Sequence, residues 1–384
     1  MRFVVAQRSG RRGEGLGNEM IPWAKGWIAS QALDAYLIGP SMGINKRRYW
    51  RNFRTSRLDF VLEDALLRLP HFAFTEEDYL ATGKIDFGAA VSQWASSCEI
   101  AGRRSFVVSV GGMWGGYGSI RSARLFLLSR LLASRDALRN IYEVISKLDR
   151  SKILVAVHMR SGCEGFRTPT PGTSQRGRFN FQIPGDWYLW VCKVLKERFR
   201  DRVQFWFFTD HKNPDCEEAI RRFNPTQFAQ AGLTECSDLL LMAQADLRVC
   251  SVSSYSMAAV FLSDGPYVWY EPQLTLSDGL YTLWGDEKAQ KKRASPTALS
   301  KQFVRKAAAA RYVGEHLPLG FLGVPMDFGD PLPECLVQLL EQRLCEHDSR
   351  TNLLEYGCVA QFPSRMDRKQ VEQAAWLAGK GCGQ

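Results

Sequence analysis

The sequence has no apolar run approaching the ~18 residues that a helix needs to cross a bilayer. Nor does it open on a secretory leader. Phe3-Val4-Val5-Ala6 is too short for a leader's apolar core, and Arg8, Arg11 and Arg12 follow it closely. Both absences lead to the expectation of a cytoplasmic location, unless a natural anchor lies outside this sequence. Histidine is scarce, at five residues, and none stands at a metal-ligand spacing from Cys, Asp or Glu, so no metal is expected. The ten cysteines include no C-x-x-C pair. Scattered as they are, they read as small buried apolar side chains in a reducing compartment. No internal repeat is present. Acidic residues are the minority: 40 Asp and Glu against 50 Lys and Arg leave a net charge of +10. That balance suits nucleic acid, a membrane surface or a phosphorylated ligand, and it does not choose among them.

What is present is an ordinary globular composition, 45% hydrophobic and 23% charged, and 384 residues predict two domains with an appendage. The chain is organised around Ile153-Leu154-Val155-Ala156-Val157-His158-Met159-Arg160-Ser161-Gly162-Cys163-Glu164. Five apolar residues in a row predict a strand buried on both faces, as in a parallel sheet. Its carboxyl end carries His158 and Arg160. In open α/β sheets ligands bind at that edge, and the planar fork of an arginine suits a phosphate.

Before that strand, Arg2 to Ala6 predicts a first strand, followed by a Gly-rich turn over 9–17, a helix from Asn18 to Leu33 and a strand over 35–39. A helix is expected near 58–69 and a strand at 106–110. A glycine- and aromatic-rich loop follows at 111–118, then one long amphipathic helix over 124–148. The domain boundary is placed near Arg150, giving an α/β first domain over 1–150. Residues 151–285 form a second α/β domain, with helices near 186–200, 214–223, 236–243 and 257–262 and strands at 203–208, 247–250 and 267–270. The rest, 286–384, is expected to be a mostly helical extension with helices at 337–345 and 368–378.

Polar loops stand at three strand ends. The first, Gly13 to Asn18, opens a helix, where glycines let backbone N–H groups approach an anion. A dinucleotide fingerprint is a rival reading of Gly13-x-Gly15-x-Gly17 and a weak one: the spacing is not G-x-G-x-x-G, and Asp34 precedes the second strand where an acid after it is expected. The second is His158, Arg160 and Glu164. The third is Ser253-Ser254-Tyr255-Ser256 at a strand-to-helix junction, either a phosphate cradle or a plain serine cap.

Together these segments resemble the GDP-fucose-dependent fucosyltransferases, the group that includes the α1,2-, α1,6- and protein O-fucosyltransferases. Their H-x-R-x-G-x-D or H-x-R-R-G-D motif corresponds to His158-Met159-Arg160-Ser161-Gly162-Cys163-Glu164. A second motif corresponds to the run from Asp238 through Gln244, Asp246 and Ser253-Ser254-Tyr255-Ser256. Phe208-Thr209-Asp210 is similar to their F-x-(S/T)-D segment, and Gly15-Leu16-Gly17-Asn18-Glu19 to their first-domain G-x-G-N-Q loop.

The resemblance implies a GT-B fold, two Rossmann-like domains facing across a cleft, the first on the acceptor side and the second holding the nucleotide sugar. It implies GDP-fucose as donor, a glycan hydroxyl as acceptor, inversion at the anomeric carbon, and no metal or other cofactor. By the same resemblance Arg160 meets the β-phosphate, His158 and Asp246 the guanine or ribose, and Ser253 and Ser254 the diphosphate. Gly15, Gly17, Thr209, Asp210 and Tyr255 complete the substrate-binding set. Glu164 and Glu19 are candidates for the base, and Asn18 would orient rather than deprotonate. Cys163 and Ser161 depart from the Asp and second Arg of the H-x-R-R-G-D form.

Two readings compete. One is the same fold with a different nucleotide sugar. The other is a basic nucleic-acid-binding protein, because Lys46, Arg47, Arg48, Arg51, Arg54 and Arg57 are interleaved with Tyr49, Trp50 and Phe53. No nucleic-acid-binding motif accompanies that run, so no nucleic-acid partner is expected. The basic surface also allows a peripheral contact with membranes.

Overall fold

The computed structural model describes residues 1–7, 15–39, 48–53, 57–84, 86–98, 100, 102–145, 148–149, 151–160, 182–210, 214–225, 227–229, 234–251, 253–263, 265–270 and 323–345. The chain is mixed α/β and divides into two compact units after Arg130.

The first unit runs β1 (Arg2–Ala6), α1 (Leu16–Ala32), β2 (Tyr36–Ile38), α2 (Trp50–Phe53), α3 (Arg57–Arg68) and β3 (Phe72–Phe74). It continues through α4 (Glu76–Thr82), α5 (Phe87–Ser97), β4 (Phe106–Val110), α6 (Gly116–Ser119) and α7 (Arg124–Leu132). Its strands form one parallel sheet in the order β2-β1-β4-β3. Because β1 sits between β2 and β4, the chain reverses its winding there, so the carboxyl ends of β1 and β4 flank a crevice. Helix α1 lies hard against this sheet. A Cβ at Gly26 would stand 2.6 Å from the Ala6 Cβ and 2.9 Å from Leu37 Cδ1, which is why glycine occupies that turn.

The second unit runs α8 (Ala137–Ile145), β5 (Ile153–Met159), α9 (Gly185–Phe199), β6 (Val203–Thr209), α10 (Pro214–Phe223) and β7 (Gln227–Ala229). Then come α11 (Glu235–Gln244), β8 (Leu247–Val249), α12 (Ser254–Phe261), β9 (Tyr267–Tyr270), β10 (Gly323–Met326) and α13 (Glu334–Cys345). All six strands are parallel, in the order β10-β9-β8-β5-β6-β7. Every residue of β5 is buried, as the unbroken apolar run predicts for a central strand. The chain winds from β5 out to β7 and then returns to β8 on the other side of β5. The switch point therefore falls between β5 and β8.

Three expectations change. The long helix over 124–148 is two helices: Asp136 adopts a left-handed φ of 62°, and the backbone breaks between α7 and α8. The division into compact units comes before Arg150, because α8 packs with the second unit, where Asn140 Nδ2 donates to Ser237 Oγ at 2.9 Å. The region after 286 is not simply a helical extension. β10 is an added strand of the second sheet, its Met326 carbonyl accepts from Trp187 Nε1 at 3.1 Å, and Leu336, Val337 and Leu340 of α13 join the same core. The helix expected at 368–378 lies outside the described residues. No helix among the described residues is long and apolar enough to cross a membrane. Cys192, Cys216, Cys236 and Cys250 are buried thiols outside any disulfide, as their scattered spacing suggests.

Candidate functional site

The carboxyl edge of the second sheet gathers three of the polar segments. Register pairs Met159 with Thr209, so the next residues, Arg160 and Asp210, emerge side by side from adjacent strands. Arg160 Nε stands 3.6 Å from Asp210 Oδ2. On the other side Arg160 Nη1 donates to Ser253 Oγ at 3.4 Å. Ser253 caps α12, its hydroxyl accepting the Tyr255 N–H at 3.2 Å. The cap reading of this serine holds, and the same hydroxyl faces Arg160. α12 begins three residues earlier than its apolar pattern suggests, so the positive end of the helix lies beside the guanidinium. Ser254 is the first helical residue and is half-buried.

His158 is buried on the same edge. Its Nδ1 is 2.7 Å from Ser256 Oγ and 2.9 Å from Ser251 Oγ. Burial, and then the neighbouring Arg160 charge, push its pKa down to about 3 against the opposing pull of Asp210. The imidazole is therefore neutral at any physiological pH. Tyr255 lays its ring beside His158, centroids 5.4 Å apart, and its hydroxyl donates to the Glu235 carbonyl in the first turn of α11.

That first turn carries a residue the motif contained but the sequence reading did not single out. Asp238 is largely buried, and its Oδ1 has no hydrogen-bond partner among the described residues. Burial, with the Glu235 charge adding to it, raises its carboxyl to about 7. The turn is pinned: Thr234 caps α11 through the Ser237 N–H at 3.3 Å, and Asn140 of α8 holds the Ser237 hydroxyl.

Asp246 is a correction. It precedes β8, and its Oδ2 accepts the N–H of Leu154 at 2.8 Å, near the start of β5. It lies at the amino edge of the sheet, at the opposite end of β5 from His158 and Arg160. Beside it in sequence, the fully buried Arg248 ties down the end of α11, with Nη1 donating to the Ala243 and Ala245 carbonyls at 3.1 and 2.8 Å and Nη2 to Pro266 at 3.1 Å. Asp246 and Arg248 thus act as a structural clamp. Nothing in the sequence separates Asp246 from Asp238, because both acids sit in the same motif.

In the first unit the other loop is at its own switch point. Gly15 precedes α1 with extended backbone (φ −66°), and a Cβ there would meet nothing within 4 Å among the described residues. Gly17 gives its carbonyl to the buried Tyr117 hydroxyl, and Leu16 N–H donates to the Tyr49 hydroxyl at 2.9 Å. Asn18 is half-buried and Glu19 is buried. Lys25, not singled out in the sequence, is fully buried. Its ammonium donates to the carbonyls of Gly111 and Gly112 at 3.2 and 3.0 Å and lies 3.2 Å from the Trp114 ring centroid, holding the 111–115 loop against α1. Glu164 lies outside the described residues.

Two of the three aromatics of the basic run are engaged inside the first unit. Tyr49 is buried with its hydroxyl engaged, and Phe53 packs edge-on against Trp23 at 5.2 Å. No group of three or more His, Cys, Asp and Glu among the described residues could hold a metal ion.

The second unit is thus a doubly wound parallel domain whose switch point presents an arginine, a capped helix N-terminus and a neutral histidine. That is the chemistry of an anion site. No protein-family model matches the sequence, and no curated protein matches it. Among solved structures it is similar to crystal structures of POFUT1 in complex with GDP-fucose, at 12% identity and a TM-score of 0.42 in one crystal form and 15% and 0.43 in another. A third, in complex with GDP, gives 15% and 0.42. Each alignment covers 70% of this chain and 97% of the other.

Proposed function

We propose that the chain is an inverting glycosyltransferase of the GT-B type that moves fucose from GDP-fucose to a hydroxyl of a glycan or glycoconjugate. The observation that carries this is the meeting of Arg160, Asp210 and Ser253 at the β5/β8 switch point, where the three motif segments that resemble fucosyltransferases come together. Departure of GDP leaves negative charge growing on the β-phosphate oxygens while the sugar becomes oxocarbenium-like. Arg160, the N–H groups opening α12 and the hydroxyls of Ser253 and Ser254 stabilise that charge from positions fixed before reaction. Asp210 and Ser253 keep the guanidinium from collapsing onto a neighbour. His158, being neutral with its Nδ1 capped, orients the nucleotide rather than accepting a proton. Asn18 orients the acceptor hydroxyl, and Glu19 or Glu164 takes its proton. A carboxylate accepts two parallel N–H donors, which is what the N1–H and N2–H edge of guanine offers. Asp238 takes the base-reading role first given to Asp246. The engagement of the Tyr49 hydroxyl and the packing of Phe53 against Trp23 favour this reading over a nucleic-acid-binding one.

Calorimetric titration with GDP, GDP-fucose, GDP-mannose and UDP-glucose in EDTA tests the reading. Binding of GDP and GDP-fucose is expected, and UDP-glucose is not. Binding of another nucleotide sugar alone replaces the donor, and binding of none removes the reading.

Asp238 adds a pH dependence. Base recognition needs the carboxylate, and the unliganded carboxyl protonates at about 7. GDP-fucose affinity is expected to fall about tenfold for each pH unit below that value. GDP-fucose is the right probe, since its diphosphate has no second proton to titrate. Asp238→Asn should flatten the profile at a lowered affinity. The sign for stability is opposite: a carboxyl whose folded pKa is raised protonates more readily in the folded state, so its contribution is lost as pH rises from the ordinary carboxylate range toward 7.

A further inference from the structure

We infer that Ser251 and Ser256 are positioning residues that lock His158 in the tautomer with the proton on Nε2, so that this residue offers its ligand a hydrogen-bond donor. The inference follows from a count of donors and acceptors. Ser251 N–H donates to Ser256 Oγ at 3.2 Å, the two hydroxyls lie 3.2 Å apart, and both reach Nδ1, at 2.7 and 2.9 Å. All three residues are buried. If Nδ1 carries the proton, that N–H, two O–H groups and the Ser251 N–H compete for two hydroxyl oxygens, and one O–H is left with no better acceptor than the weakly accepting Sγ of the neighbouring Cys250. If Nδ1 keeps its lone pair, Ser256 O–H donates to it, Ser251 O–H donates to Nδ1 or Ser256 Oγ, and every group is matched. Nε2–H is then the free group, and no partner for it occurs among the described residues.

Two consequences follow. The only basic lone pair of His158 is capped by hydroxyls, so this histidine is not the general base of the transfer. The donor at Nε2 also discriminates among bases, suiting a ring nitrogen or carbonyl oxygen and rejecting an exocyclic amine at the same place. This deepens the nucleotide-binding reading of the site and rests on it only for the ligand.

The two hydroxyls are redundant, which sets the expected pattern. Ser251→Ala and Ser256→Ala, taken singly, leave one hydroxyl on Nδ1 and should shift GDP affinity by about twofold or less. The double variant should lose about tenfold, well beyond the product of the single effects. Nitrogen-resolved NMR on the imidazoles reads the tautomer directly. With five histidines in the chain, the His158 signals are assigned by their disappearance in His158→Gln. Wild type and both single variants should show a protonated Nε2 and a bare Nδ1, and the double variant a mixture. His158→Gln, whose amide nitrogen falls near the Nε2 position, should retain more GDP affinity than His158→Asn. A protonated Nδ1 in the wild type, or an unchanged tautomer in the double variant, overturns the inference. The NMR readout needs no ligand, so a wild type that shows the Nε2–H tautomer yet binds no GDP sinks the functional reading and leaves the tautomer assignment standing.

Discussion

Arg160→Ala is expected to lower fucosyl transfer by about 10²–10³ in kcat, with GDP affinity falling alongside, while the folded state is kept. The size follows from where the charge grows. On the proposed reading the β-phosphate meets the guanidinium in the ground state, and as the glycosidic bond breaks the negative charge on those oxygens increases, so the interaction strengthens toward the transition state. The fold survives because Arg160 contributes little to it. Its side chain is about a quarter exposed, and its contacts to Asp210 and Ser253 are long, at 3.6 and 3.4 Å. A partly exposed pair of that kind stabilises by ~1 kcal/mol or less. Arg160→Lys should recover only a small part, because a point charge cannot span two phosphate oxygens as the planar fork does. Turnover with GDP-fucose, beside circular dichroism melting, checks both halves. A variant with most of its activity would remove Arg160 from the reaction. The same substitution should raise the His158 pKa, since the arginine's charge is one of the two causes that depress it.

Much of this site was legible in the sequence, for a physical reason. A strand buried on both faces must read as an unbroken apolar run, and its end must break into polar residues where it leaves the core. Hence Ile153 to Met159 and Val203 to Thr209 gave both the central strands and the position of Arg160 and Asp210. Edges are harder. β10 is four residues long and separated from β9 by a long stretch of chain, so nothing local announces that it completes the second sheet. The break between α7 and α8 turns on one left-handed residue, Asp136, which no apolar period reveals. Within a recognised motif, spacing alone also cannot say which end of a helix faces the ligand. Asp238 and Asp246 bracket α11, one in its first turn and one just past its last. Only the direction of the parallel sheet decides that the first lies at the binding edge. Lys25 was invisible for another reason, since a lysine in an apolar helix reads as solvated until its carbonyl partners are in place.

Loss of the clamp at the amino edge is expected to destabilise the second unit rather than to silence it. Arg248→Met keeps volume but removes the donors from the carbonyls of Ala243, Ala245 and Pro266, all of them buried. Leaving such acceptors unmatched costs ~3–5 kcal/mol, a large share of the ~5–15 kcal/mol by which a domain is stable. Gly265 is part of the same device. A Cβ there would stand 2.2 Å from Arg248 Nη2, so Gly265→Ala should destabilise by displacing the guanidinium. Asp246→Ala frees the Leu154 N–H that its Oδ2 accepts at 2.8 Å and should cost ~1–3 kcal/mol. Urea unfolding followed by circular dichroism reads these losses, and titration of the still-folded fraction with GDP reads the site. The expected pair of results is a lowered midpoint with affinity per folded molecule within about twofold of wild type, whereas Asp238→Asn should change affinity and leave the midpoint nearly in place. If Asp246→Ala instead abolished binding at an unchanged midpoint, the acid at the far end of the strand would be back in the ligand site, and the direction of β8 relative to the binding edge would have to be wrong.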